Sequence, residues 1–203
     1  MNIQFICVDF QKNFSDPRGK WFNRGNSVNF IKEELIPYLK EKEIKINEII
    51  SDYRPPRPGK GGIGCIPGTL GYESDIPNDI KNNDIWIKCM NSPIWVRDNI
   101  GDKDKIAGQP YQDPEKFNKW LYKNVGKPDN IDLVILFGLT MDCCVLCTAQ
   151  ELYFRGYNVK ILYEAVDSMD SENEEYKRQL SEKSPILTWA SFITFDELKN
   201  LIK

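Results

Sequence analysis

Uninterrupted runs of apolar residues set the strand pattern of this chain. The longest, residues 131–137, reads Ile-Asp-Leu-Val-Ile-Leu-Phe and lacks the alternation of a strand with one face in water. Such runs are typical of parallel strands buried on both faces, so this segment is predicted to lie centrally in a sheet. The same reasoning predicts six strands in all, at residues 4–8, 46–51, 84–88, 131–137, 157–163 and 191–194.

Between these strands, apolar residues recur at helical spacing. The pattern predicts helices at residues 27–41, 114–124, 145–156, 171–182 and 195–202, with Gly156 ending the third. Strands that alternate with helices form βαβ units with right-handed crossovers. We therefore predict a single α/β domain over residues 1–203, a three-layer α/β/α, Rossmann-like arrangement around a six-stranded, mostly parallel sheet.

Two segments show neither pattern. Residues 54–64 hold three prolines and four glycines among eleven residues, so they are predicted to form a long surface loop. Loops of this length in compact domains are often functional, and this one carries Arg54, Arg57 and Lys60, although solvation alone would also explain these charges. Residues 109–113 are predicted to form a turn before the next helix.

Three reactive side chains lie at or just after the ends of predicted strands. Asp9 follows the first strand, Lys88 ends the third and Cys144 follows the fourth, where a helix start would stabilise a thiolate. The carboxyl ends of parallel strands meet at one edge of a sheet, so we expect the three to converge on a crevice. Each also has a structural interpretation. Asp9 would be a helix cap, which its position alone favours, Lys88 a structural cation, and Cys144 a buried, inert thiol.

Composition and charge exclude several classes of function. The 203 residues carry 27 basic and 30 acidic side chains, mixed along the chain, so there is no basic stripe for nucleic acid. The apolar runs are too short to span a bilayer, and we expect no membrane partner and a cytoplasmic location. Six irregularly spaced cysteines indicate reduced thiols rather than a disulfide framework.

The chain contains no histidine. This excludes Cys–His and Ser–His mechanisms as well as every histidine-ligated metal site. Any general base must therefore be a carboxylate, a lysine, a tyrosine or a cysteine.

Several segments, in order along the chain, match the motifs of one enzyme family. They are residues 8–14 (VDFQKNF), 65–71 (CIPGTLG), 87–94 with its lysine at 88, 138–145 (GLTMDCCV), 153–157 and 164–168. The chain resembles the isochorismatase-like cysteine hydrolases, which include nicotinamidases and N-carbamoylsarcosine amidases. The resemblance implies the isochorismatase fold and a homo-oligomer, a dimer or larger.

The resemblance also assigns a role to each strand-end side chain. Lys88, as a cation, favours the thiolate of Cys144, and Asp9 takes the thiol proton and later passes it to the leaving amine. Cys144 would attack an amide carbonyl to give a thioester, which a water activated by Asp9 would hydrolyse. The backbone N–H groups of Thr140 and Cys144 fall where the family has its oxyanion donors, and the family's cis peptide would fall at Leu139–Thr140.

Departures from the family pattern bear on the substrate. Nicotinamidases bind a metal through an aspartate and several histidines; Asp52 remains here, but Arg54 and Gly64 stand where histidines are expected. A metal site of that kind cannot form, which makes nicotinamide a poor candidate substrate, and no cofactor is expected. Arg54 or Arg57 is instead a candidate to bind a substrate carboxylate through two N–H groups of its guanidinium. The alternative is that both arginines only face solvent. The candidate pocket walls are Phe14, Trp21, Tyr53 and Trp95.

These observations favour a metal-independent amidohydrolase acting on a small amide, ureido or carbamoyl compound. The cysteine favours C–N hydrolysis, since true isochorismatases, which cleave a vinyl ether, typically lack it. Two alternatives stay open. Cys144 and Cys147 form a Cys-x-x-Cys pair that would fit a thiol redox protein. The chain would otherwise be a binding protein on the same fold without activity.

Overall fold

A computed structural model describes residues 1–202 of the chain. Within this range the chain forms eight strands: β1 (Ile3–Val8), β2 (Ile46–Ser51), β3 (Trp86–Lys88), β4 (Trp95–Arg97), β5 (Pro110–Gln112), β6 (Leu133–Leu139), β7 (Val159–Asp167) and β8 (Ser191–Ile193). Six of them form one sheet in the order β3-β2-β1-β6-β7-β8, and every pairing in it is parallel. The predicted six-stranded α/β fold class is confirmed.

The helices lie between the strands, as the apolar spacing predicts. They are α1 (Lys12–Ser15), α2 (Ser27–Phe30), α3 (Ile36–Glu41), α4 (Pro114–Asn124), α5 (Leu146–Phe154), α6 (Glu174–Lys183) and α7 (Phe195–Leu201). A π-helical segment, Ile31–Leu35, joins α2 to α3, and a π-helical turn, Met141–Val145, precedes α5. The short helix α1 was not predicted, because a single turn carries too few residues to show a period.

Side-chain caps determine where several helices begin. The Asp113 carboxylate accepts the backbone N–H of Lys116 at 2.8 Å, so α4 begins at the predicted residue. The Asn173 side chain caps α6 in the same way, so that helix begins at Glu174 rather than at the predicted residue 171. Thr194 forms a capping box at the start of α7.

The turn predicted at residues 109–113 is wrong, because this segment contains β5, which pairs antiparallel with β4. Two of the three residues of β5 are exposed, so it shows no buried apolar run. Its partner strand lies more than ten residues earlier in the chain. A short, exposed strand that depends on a distant partner leaves no local signal in the sequence.

The central strand β6 is buried along its whole length, as its apolar run predicts, but it ends two residues later than predicted. Gly138, predicted to form the turn, still pairs with Val8 of β1 and Val166 of β7. A Cβ atom on Gly138 would lie 2.1 Å from the carbonyl oxygen of Val8, so only glycine fits between these strands. The turn follows at Thr140.

The strand order places a crevice at the centre of the sheet. The order reverses direction between β1 and β6, which is the topological switch point where open α/β sheets hold ligands, at the carboxyl ends of the strands. A continuous cluster of buried apolar side chains from both strands and from the flanking helices forms the core below it. No helix among residues 1–202 is long and apolar enough to cross a membrane.

Candidate active site

The side chains of Asp9, Lys88 and Cys144 meet at this edge of the sheet. The Lys88 Nζ atom lies 2.8 Å from Asp9 Oδ2 and 3.5 Å from Cys144 Sγ. Asp9 and Lys88 are completely buried, and Cys144 is nearly so. The convergence expected from three strand ends is therefore present in the structure.

Asp9 is held by the strand end rather than by a helix. Its backbone takes a left-handed conformation, with φ of 53°, and its N–H donates to the carbonyl of Ile49 in β2 at 2.8 Å. Helix α1 begins three residues later, and its N-cap residue, Gln11, makes no side-chain capping bond. The interpretation of Asp9 as a helix cap is wrong, since its carboxylate accepts from Lys88 and Ser51 at the crevice instead.

Lys88, the last residue of β3, is surrounded by oxygen acceptors. Besides Asp9, its ammonium group lies 2.7 Å from Ser51 Oγ and 2.9 Å from the Tyr53 hydroxyl. Ser51 Oγ also lies 2.8 Å from Asp9 Oδ1, so it donates to the carboxylate while accepting from the ammonium. Ser51 was not predicted as a site residue, although it ends β2 at the same sheet edge. The rule that identified the other strand-end residues applies to it equally.

Cys144 lies in the π-helical turn that precedes α5. The carbonyl of Thr140 accepts the N–H groups of Cys143 and Val145, both at 3.1 Å. The N–H of Cys144, between them, does not donate to the Thr140 carbonyl. The peptide bond Leu139–Thr140 is cis, as the resemblance implies.

Burial and charge act against each other at this cluster. Burial raises the pKa of the Cys144 thiol well above its ordinary value, and the Lys88 ammonium only partly opposes this effect. Burial alone would lower the pKa of Lys88, but the acidic groups beside it, Asp9 foremost, together outweigh burial and raise that pKa. Burial also raises the pKa of the Tyr53 phenol. The resting cluster is therefore a neutral thiol and a neutral phenol beside an Asp9–Lys88 ion pair.

A cavity of about 600 Å³ opens above the Cys144 sulfur. Its walls combine aromatic rings, amides, sulfur atoms and two cationic side chains. The lining residues are Phe14, Trp21, Phe22, Asn23, Tyr53, Arg57, Lys60, Gly61, Gly62, Met90, Asn91, Thr140, Cys143, Cys144, Met169 and Ser171. None of these lining residues is acidic, so the cavity is positively charged in a chain whose net charge is −3.

Three of the four predicted wall residues line this cavity, together with Arg57, one of the two arginines predicted to bind a substrate carboxylate. The rings of Phe14 and Trp21 stack with centroids 5.5 Å apart, and Trp21 meets the ring of Tyr53 edge-on. The Arg57 guanidinium carbon lies 3.5 Å from the centre of the Tyr53 ring, and its Nη2 donates to the side-chain oxygen of Asn91 at 3.2 Å. Among the described residues, Arg57 Nε has no hydrogen-bond partner.

Comparison with known proteins gives a consistent result. A family model described as the isochorismatase domain matches residues 115–187, which include Thr140 and Cys144 but not Asp9 or Lys88. No curated protein matches the chain. Among solved structures, an isochorismatase-like hydrolase from Alkaliphilus metalliredigens is 17% identical, with a TM-score of 0.65 over 100% of this chain and 97% of that one.

Two amidases superpose to a similar extent. A nicotinamidase/pyrazinamidase from Bacillus subtilis is 18% identical, with a TM-score of 0.63 over 94% of this chain and 100% of that one. An N-carbamoylsarcosine amidase from Thermoplasma acidophilum is 17% identical, with a TM-score of 0.61 over 97% of this chain and 98% of that one. This chain has the isochorismatase-like fold. The resemblance inferred from its motifs is thereby confirmed.

In this isochorismatase-like chain Arg54 does not face the cavity. The prediction that it binds a substrate carboxylate is therefore wrong. All five of its N–H donors are used within the protein. Two bind the Asp52 carboxylate, at 2.7 and 2.9 Å. The others donate to the backbone carbonyls of Asn99, Asp102 and Lys105. The guanidinium therefore ties β2 to the loop at residues 99–105 and has no donor left for a substrate.

The ion pair between Asp52 and Arg54 decides whether Asp52 can hold a metal of the kind that nicotinamidases bind. One Asp52 carboxylate oxygen accepts from Arg54 Nη2, and also from the N–H of Gly101 at 2.9 Å. The other accepts from Arg54 Nε. The aspartate that would hold a metal is thus neutralised by a guanidinium. Together with the lack of histidine, these residues do not fit a nicotinamidase-type metal.

Trp95, the remaining predicted wall residue, also lies away from the cavity. It belongs to β4, where its carbonyl accepts the N–H of Cys89 at 2.9 Å. The prediction is wrong because residues 89–95 turn back toward β3 instead of continuing over the crevice.

Sequence reasoning missed several residues that do line the cavity. Met90 and Asn91 follow β3, and Met169 and Ser171 follow β7, so the strand-end rule would have found them. The glycine pair at residues 61–62 has no such signal. Only the folding of residues 54–64 back over the crevice brings these glycines, and Lys60, into the wall.

Proposed function

We propose that the chain is a metal-independent cysteine amidohydrolase that cleaves a C–N bond of a small amide, ureido or carbamoyl compound through a thioester at Cys144. The observation that supports this most is the meeting of Asp9, Lys88 and Cys144 beneath the cavity. A nucleophile and a base that both contact one cation are the groups that covalent acyl transfer needs. The amidases with the same fold are consistent with this chemistry.

In the proposed first half-reaction, Asp9 takes the thiol proton of Cys144 as the sulfur attacks the carbonyl carbon. The carbonyl π pair moves to oxygen, where the N–H groups of Thr140 and Cys144 stabilise the negative charge. When this pair returns, the C–N bond breaks and the leaving nitrogen takes the proton from Asp9. Lys88 remains charged throughout and stabilises first the thiolate and then the Asp9 carboxylate.

The second half-reaction hydrolyses the thioester. Asp9 accepts a proton from water, whose oxygen adds to the thioester carbonyl. The tetrahedral intermediate then expels the Cys144 sulfur, which takes the proton back from Asp9. The products are a carboxylic or carbamic acid, the amine or ammonia, and the free thiol.

The cavity walls support a small, partly planar substrate that carries negative charge. Phe14 and Trp21 offer ring faces for stacking, and Arg57 and Lys60 are the cationic side chains of a lining without carboxylates.

Neither alternative reading gains support from the structure. Cys144 and Cys147 are both free thiols, and Cys147 does not line the cavity, so a substrate held there does not meet it. A binding protein would have no use for a buried ion pair beside a cysteine, since ion pairs of that kind are costly to bury.

The experiment is a screen for ammonia release from small amides, ureas and carbamoyl acids, each offered with and without a carboxylate. We expect wild type to release ammonia from at least one compound, with the carboxylate-bearing members preferred. Cys144→Ser should lower the rate by about 1,000-fold or more, because a hydroxyl is a far weaker nucleophile here. Cys147→Ser should stay within a few-fold of wild type. Ammonia release that survives Cys144→Ser, or no release from any compound, would overturn the proposal.

A further inference from the structure

The hydrogen bonds around Lys88 can be assigned by counting protons. An ammonium group has three, and three oxygens lie within 3 Å: Asp9 Oδ2 at 2.8 Å, Ser51 Oγ at 2.7 Å and the Tyr53 hydroxyl at 2.9 Å. The Cys144 sulfur is more distant, at 3.5 Å. The three oxygens are the nearer acceptors of the three protons, so the sulfur receives from Lys88 its charge and at most a long, shared hydrogen bond.

The same counting fixes the direction of the Tyr53 hydroxyl. Its oxygen accepts from Lys88, which has no lone pair to offer in return, so its own proton must point elsewhere. The remaining polar neighbour is Cys144 Sγ, at 3.2 Å from the hydroxyl oxygen. The phenol therefore donates to the sulfur.

The fold holds Tyr53 in this position. Its ring is almost completely buried between the Arg57 guanidinium on one face and the edge of Trp21. Its backbone pairs with Gly64 across the loop that starts at residue 54. Because both its ring and its backbone are held, the Tyr53 side chain is already oriented with its hydroxyl toward the sulfur.

We infer that Tyr53 is a further catalytic residue, whose phenol donates a hydrogen bond to the Cys144 sulfur and stabilises it as a thiolate. This rests on the proposed function. The phenol keeps its proton throughout, while the thiol proton goes to Asp9. The sulfur thus draws on two separate groups, a charge from Lys88 and a hydrogen-bond donor from Tyr53.

Lys88 should compensate for removal of the phenol only in part. The three ammonium protons rotate as one group about the Cε–Nζ bond, so turning one toward the sulfur would disrupt the bonds to Asp9 and Ser51. Tyr53→Phe therefore leaves the thiolate with only the long contact to Lys88, and one ammonium proton without its oxygen acceptor. Hydrogen bonds to charged groups are strong enough that the thiolate population at a given pH should fall about 10-fold or more.

The test is the rate at which iodoacetamide alkylates Cys144, followed by mass spectrometry of the peptide that contains it, as a function of pH. Because burial raises the pKa of the thiol, the rate should rise with pH in wild type. In Tyr53→Phe the whole curve should move to higher pH, with the rate at neutral pH about 10-fold lower. Phenylalanine keeps the ring contacts, and thermal unfolding checks that the variant is folded.

Tyr157→Phe is the matched control. It also removes a buried tyrosine hydroxyl, one that donates to the carbonyl of Gly126, but far from the cavity. Its alkylation curve should coincide with that of wild type. If the Tyr53→Phe curve also coincides with wild type, or moves to lower pH, the inference is wrong.

Alkylation needs no substrate, so this result is independent of the proposed function. With an active amide in hand, Tyr53→Phe should lower kcat by about the same factor and leave KM within a few-fold. A shifted alkylation curve in a protein that hydrolyses no amide would support the hydrogen bond and overturn the hydrolase proposal.

Discussion

At the scale of single residues, Lys88 contacts more of the site's polar groups than Asp9 or Cys144 does. Its ammonium group binds a carboxylate and two hydroxyls and faces a sulfur, all away from water. A buried ion pair adds little net stability, because desolvation offsets the attraction between the charges. Removing one partner of the pair is strongly destabilising, because the other charge then stays unpaired in the protein interior.

Lys88→Met should therefore destabilise the fold and abolish the reaction. The Asp9 carboxylate would remain buried without its cation, at a cost of about 3–5 kcal/mol in the free energy of unfolding. Urea denaturation measures this cost. Adding Asp9→Asn to the same chain should recover part of the stability but none of the activity.

Lys199→Met provides the comparison, because Lys199 pairs with Asp196 on the surface of α7. Exposed ion pairs contribute little, so this variant should unfold like wild type. If Lys88→Met were as stable as Lys199→Met, the burial of the Asp9–Lys88 pair would be contradicted.

Residue-level prediction worked where a strand end fixes a side chain. That rule predicts that Asp9, Lys88 and Cys144 lie at one edge of the sheet, and their side chains meet there. Arg54 was mispredicted because the rule gives a position but no partner. Whether a guanidinium points at a substrate or at Asp52 depends on the loop at residues 99–105, which is remote in sequence.

At the scale of elements, apolar runs were sufficient for the parallel sheet but not for its edges and turns. The buried strands β1, β2 and β6 have strong local patterns, because both of their faces are covered. The β4–β5 pair and the single turn of α1 have none. The point at which β6 ends was also missed, since it is set by its neighbours β1 and β7.

Gly138 is the residue on which this central pairing depends. Gly138→Ala should lower the free energy of unfolding by about 2 kcal/mol or more, because its Cβ would overlap the Val8 carbonyl and its φ is +118°. Chemical denaturation measures the loss. Gly156→Ala shares the positive φ, at +85°, but meets no atom closer than 3.8 Å, so it isolates the conformational cost of about 1 kcal/mol. Equal losses for both variants would show that β1 and β6 are not so closely paired.

At the scale of the whole molecule, the switch point of the sheet sets where the cavity lies, and the charge of the cavity selects what enters it. The core below the sheet edge is continuous among the described residues, and the single domain over residues 1–203 stays a prediction. The cavity above it is cationic in a chain of net charge −3, which favours entry of a small anionic substrate over a cationic one. Homo-oligomer formation stays a prediction from the resemblance.

The acyl-enzyme is the most direct test of the central claim, that Cys144 is the nucleophile of an amide-hydrolysing site. A reaction with the best substrate from the screen, stopped with acid during turnover, should yield the Cys144 peptide with the added mass of the substrate's acyl group. Cys147 is carried on the same peptide or its neighbour, so fragmentation must place the added mass on Cys144. Turnover without an adduct on Cys144, undiminished in Cys144→Ser, would contradict the claim.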